Sequence, residues 1–104
     1  MTWREKIFSP NRGTSETENR LSDDPNFLCL SLCGEAGELA NLLKKRWRGD
    51  AVDPARIREE MADVRMFLEL LAKVEGVDLE SACEEKILAV ETRWRKARKE
   101  SRNA

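Results

Sequence analysis

The chain has 104 residues, 38% of them charged, with a net charge of -1 and no histidine. That length supports a single domain with a modest core. Without histidine there is no Ser-His-Asp or Cys-His nucleophile system, no histidine-ligated zinc, and no carboxylate-histidine set of the di-iron bundle type.

The first stretch, residues 1–25, reads as an irregular polar segment broken by Pro10, Gly13 and Pro25. Trp3, Ile7 and Phe8 could form one apolar turn or docking patch. Arg4, Glu5 and Lys6 interrupt those apolar residues, so nothing resembles a signal peptide. No run approaches the roughly 20 apolar residues of a membrane span. A soluble, cytoplasmic protein is the expectation.

Three helices follow. The first starts at Asp24-Pro25, where aspartate caps and proline suits the first helical position. Leu28, Leu32, Leu39 and Leu42 form its apolar stripe, and Gly49 is a natural stop. Cys29 and Cys33 sit four apart among leucines and read as small buried hydrophobes. No cysteine pair, Cys83 included, has the two-residue gap of a redox or zinc motif, so reduced thiols are expected.

The second helix opens at Asp53-Pro54 and carries Ile57, Met61, Val64, Phe67, Leu68, Leu71 and Val74, ending at Gly76. The third starts at Asp78, with Ala82, Cys83, Ile87, Val90 and Trp94 along one side. Its end, residues 95–104, is a basic helical tail. Taken from Arg93, that end could touch nucleic acid, but it lacks interleaved aromatics and reads better as a solvated, fraying helix end.

Short connections make neighbouring helices antiparallel, and no segment alternates at period two. The fold class is therefore all-α, an antiparallel helical bundle of three long helices spanning one domain over residues 1–104. Each helix has an apolar face wider than one neighbour covers, so completion by oligomerisation is expected, as a homodimer or homotetramer.

Two acidic pairs stand out: Glu35 and Glu38 on the first helix, Glu60 and Asp63 on the second. Residues three apart on a helix project from one side, about 4.5 Å apart along the axis. Both pairs are embedded in apolar sequence, where carboxylates are costly unless something positive satisfies them. Hard oxygen ligands without histidine or thiolate favour magnesium or manganese. One such pair is commonplace on a solvated helix face, and on the residues alone that reading stays open. Two pairs, one bracketed by Gly34 and Gly37, bring the metal reading level with it. Mid-helix glycines suit the close approach of another backbone or a ligand. Glu59 reads as a solvated neighbour.

The run Gly-Glu-Ala-Gly-Glu-Leu-Ala-Asn (34–41), followed by Glu-Glu-Met-Ala-Asp-Val (59–64), resembles the MazG-like nucleotide pyrophosphohydrolases, whose hallmark is Glu-x-x-Glu followed by Glu-x-x-Asp on the next helix. Gly-Val-Asp-Leu-Glu (76–80), with Lys86 and Arg93-Trp94, is similar to the family's third helix. The likeness covers roughly residues 26–94. Two departures are visible: Gly34 stands where the family often has another glutamate, and residues 87–92 lack its third-helix asparagine.

The resemblance implies an all-α oligomer hydrolysing nucleoside triphosphates to monophosphate and pyrophosphate, in house-cleaning or nucleotide-pool control. Glu35, Glu38, Glu60 and Asp63 would hold magnesium, with manganese a substitute, and Glu38 would orient the attacking water. Lys86 and Arg93 would meet phosphate, and Lys45 less centrally. The Lys44–Arg48 run also fits a helix end complementing its dipole. Trp47 and Trp94 could stack on a base, although core or interface packing suits each better. Two other classes are a catalytically silent helical dimer acting as an interaction module, and a small nucleic-acid binder using the basic tail.

Overall fold

Aspartate followed by proline does start two of the long helices. The computed structural model describes residues 1–9 and 22–103, so the expected breaks at Pro10 and Gly13 lie outside the described residues. Its elements are α1 (Trp3–Phe8), α2 (Pro25–Trp47), α3 (Pro54–Glu75) and α4 (Leu79–Arg102). No strand occurs among the described residues, and the fold is all-α.

The caps explain the boundaries. Asp24 accepts the N–H of Asn26 at 2.9 Å, and Asp53 accepts that of Ala55 at 3.0 Å. Asp78 accepts the N–H of Ser81 at 3.3 Å. Each bond satisfies a donor that the first helical turn leaves orphaned. At the other ends, Gly49 and Gly76 adopt φ of 101° and 68°. Asp50 N–H donates to Lys45 O at 2.9 Å and Val77 N–H to Ala72 O at 2.8 Å, the bonds of a Schellman stop.

A helix also forms within the stretch expected to be irregular. In α1, Thr2 Oγ1 accepts the Glu5 N–H at 3.2 Å while Thr2 N–H donates to Glu5 Oε2 at 2.7 Å, a complete capping box. The apolar patch read at Trp3, Ile7 and Phe8 lies on this helix, which seats on α3. Arg4 reaches Glu69 at 3.4 Å, and Arg65 reaches the same carboxylate at 3.7 Å. Both guanidinium groups lie over the Trp3 ring, at 4.7 and 5.4 Å, and Lys73 lies 4.4 Å from the Phe8 ring centre.

Helices α2 and α3 run antiparallel and supply the main packing seam. Among the described residues, Leu28 and Leu42 of α2 and Leu70 and Ala72 of α3 are the buried apolar ones. Leu32, Leu39, Ile57, Val64, Phe67 and Leu71 are half-buried, in line with the periodicity. Met61, Leu68 and Val74, read as part of the same stripe, are exposed instead. The apolar arc of α3 is wider than α2 covers, and its margin stays in water.

Helix α4 is helical to Arg102 but leaves the α2–α3 pair rather than lying along it. The Cα radius of gyration is 18.4 Å, against about 13 Å for a compact chain of this length. Ile87, Leu88 and Trp94 are accordingly exposed. All three cysteines are exposed as well, which corrects the reading of Cys29 and Cys33 as small buried hydrophobes, because no described element covers their faces.

Candidate metal centre

Glu35 and Glu38 project from one side of α2 because they are three residues apart, and the antiparallel seam carries Glu60 of α3 to the same place. Oxygens of these three carboxylates lie within 4.8 Å of one another. Asp63, one turn beyond Glu60, is half-buried and close enough for its charge to act on Glu60, but it lies outside that triad.

Glu60 is the centre of the cluster. It is half-buried, and its Oε2 is buried without a hydrogen-bond partner. Its carboxyl is held above the usual carboxylate range. Hydrogen bonding to Glu35 is the main cause, followed by burial and the charge of Glu35; the charge of Asp63 adds to the effect, and hydrogen bonding to Glu38 opposes it. Crowded carboxylates with an orphaned buried oxygen are a donor set that a hard divalent cation satisfies. The residues fit such an ion.

A cleft of about 270 Å³ opens beside the triad, lined by Glu38, Asn41, Leu42, Lys45, Arg56 and Glu60. Lys45, expected as a phosphate ligand, is there. Arg56 and Asn41 were not singled out in the sequence. The available signal was spacing: Arg56 precedes Glu60 by four residues and Asn41 follows Glu38 by three, so each shares its helix face with a carboxylate.

Other expected residues lie elsewhere. Lys86 and Arg93 are exposed on α4 and do not line the cleft. Trp47 is 90% exposed and Trp94 is 55% exposed, so neither packs into a core within the chain. A Cβ at Gly34 or Gly37 would meet nothing within 4 Å, so no close approach among the described residues accounts for either glycine. Two larger hollows, of about 440 and 570 Å³, lie against α1 and α3, and no residue of the triad lines either.

The family model described as the MazG nucleotide pyrophosphohydrolase domain matches residues 24–96. That span takes in both acidic pairs, the cleft, and α4 as far as Lys96. No curated protein and no solved structure matches the chain.

Proposed function

The chain belongs to the MazG nucleotide pyrophosphohydrolase family, and from that premise we propose that it converts nucleoside triphosphates or their deoxy forms, with water, to monophosphate and pyrophosphate. The observation that carries this reading is the meeting of Glu35, Glu38 and Glu60 within 4.8 Å around an unpartnered buried oxygen.

Glu35, Glu38, Glu60 and Asp63 are the proposed ligands for magnesium, with manganese as a substitute. The ion, when bound, supplies a Lewis acid for phosphate oxygens and lowers the pKa of a coordinated water. Glu38 is the most exposed of the triad. It orients the attacking water and takes its proton as the new oxygen–phosphorus bond forms and pyrophosphate departs. Lys45 meets the phosphates from within the cleft. Lys86 and Arg93 join it only if a second copy supplies them, which fits a homodimer or homotetramer closing over α4.

No described helix is long and apolar enough to cross a membrane, and a cytoplasmic pool of nucleotides is the proposed setting. A second reading, a catalytically silent helical dimer, draws on the lack of an asparagine between Ile87 and Thr92. A panel of ribo, deoxy and base-modified triphosphates, assayed for pyrophosphate with magnesium or manganese, separates the two. Pyrophosphate release supports the enzyme; intact triphosphates across the panel leave the silent module.

A further inference from the structure

Charge is distributed very unevenly along the chain. Residues 93–102 hold six basic groups against one acid, a net +5 in a chain of net charge -1, which leaves -6 on the remainder. The end of α4, expected to fray, is regular helix to Arg102, and the Asn103 N–H closes onto Lys99 O and Glu100 O at 3.2 Å. Side chains there keep a helical register, and every one from Glu91 to Asn103 is exposed.

That register sorts the cations. Arg95, Arg98, Lys99 and Arg102 follow one another at three, four and seven residues, so they share one face over about 10 Å of axis. Glu100, the single acid, lies roughly 140° round the helix from Arg95. Among the described residues, Arg98, Lys99 and Arg102 make no ion pair or side-chain hydrogen bond, and Arg95 has only an exposed pair with Glu91 at 4.0 Å. Complementing the helix dipole accounts for cations in the last turn, which leaves Arg95 and Arg98 unexplained. Three of the four cations also lie past residue 96, beyond the span that the family model matches.

The shape and the neighbours say what such a face takes. None of the three hollows described above is lined by a residue of this face, so a small anion finds no enclosure there. A row of charges on a convex helix suits a polymer, since one strand of a duplex offers a phosphate about every 3.4 Å. No aromatic residue follows Trp94, so unpaired bases have no platform for stacking. No large apolar side chain follows it either, so nothing there enters a lipid layer.

We propose that Arg95, Arg98, Lys99 and Arg102 form a sequence-independent contact face for the phosphate backbone of a duplex nucleic acid. The face stands apart from the acidic triad and its cleft, and it does not depend on the hydrolase reading.

The test is fluorescence anisotropy of a labelled DNA duplex with the full chain, across salt from about 50 to 200 mM. The logarithm of affinity should fall linearly with that of salt, with a slope of about -3 for three to four phosphate contacts. Arg98→Gln and Arg102→Gln should each weaken binding roughly threefold to tenfold and flatten the slope by about one. Arg98→Lys should bind like the unsubstituted protein, as should Arg58→Gln, an exposed arginine of α3. Two duplexes of unrelated sequence should bind within about twofold of each other. Circular dichroism confirms that each variant keeps its helix, and any pyrophosphate release from triphosphates should be the same in all of them. Duplex binding unchanged in the Arg98→Gln, Arg102→Gln double variant overturns the face, as does no binding at about 50 mM salt. Tighter binding to a single strand, or to phosphatidylserine vesicles in place of the duplex, also overturns it. So does a double variant that loses self-association in sedimentation, which would assign these cations to a second copy.

Discussion

Glu60 and Glu35 face one another across the α2–α3 seam, and their hydrogen bonding is the main reason that the Glu60 carboxyl holds its proton above the usual range. A raised folded-state pKa means that the native chain binds more protons than the unfolded one between the ordinary and raised values. Stability from this group is therefore full below the ordinary value of about 4.3 and is lost as pH rises through the raised one. Metal-free protein should have a thermal midpoint that falls over that window. In Glu60→Gln the fall should be smaller and the metal-free midpoint at neutral pH higher. Magnesium should raise the midpoint of the unsubstituted protein at neutral pH and release protons as it binds. A midpoint indifferent to magnesium in both proteins would argue against a metal centre.

Replacing Glu38 by Gln keeps the shape of the side chain while removing its charge and its ability to take a proton. Turnover should fall by more than about a hundredfold. Glu38 is exposed, so the helical signal and the unfolding midpoint should change little. Steady-state rates beside circular dichroism check both halves, and retained turnover would remove Glu38 from the chemistry.

The outer face of α4 predicts association. Ile87, Leu88 and Trp94 are 40%, 63% and 55% exposed on one helix, together an apolar area that a monomer would leave in water. Sedimentation equilibrium at micromolar concentration should give a dimer or tetramer. Trp94→Glu should shift it toward monomer, since a buried charge without a partner opposes association. A monomer across the micromolar range would show that this face has no second copy.

Glycines at two kinds of position should respond oppositely to alanine. At Gly76, φ is 68°, and a side chain there costs about 1 kcal/mol or more. At Gly37, mid-helix with nothing within 4 Å, alanine should stabilise a single chain by up to about 1 kcal/mol. Denaturant midpoints measure both. Should Gly37→Ala weaken association instead, a second copy approaches α2 there.

The sequence announced the ends of the helices well because caps are local. Asp24-Pro25, Asp53-Pro54 and Asp78 each act on their own first turn. The acidic triad was legible for a related reason: spacing of three on a helix fixes a shared side, and a short antiparallel connection brings two such sides together. Burial was less legible. Leu70 is buried while Leu68 is exposed, a choice set by where α2 crosses rather than by the period of α3. Arg56 looked like any surface arginine until the seam set it beside Lys45. The course of α4 was hidden for the same reason, since its amphipathic pattern shows a face to be covered but not which chain covers it.

The standing-off of α4 bears on the order in which the molecule assembles. Contacts between α2 and α3 are made within one chain across a short connection, so that hairpin should form without regard to concentration. Helix α4 has 24 residues but little tertiary packing in its own chain, and isolated helices in water are marginal. Amide exchange should therefore find slow protons around Leu42 and Leu70 at any dilution. Along α4, exchange should be fast in dilute protein and should slow as the protein is concentrated. A chain built this way has two kinds of order, one that it carries alone and one set by how many copies surround it.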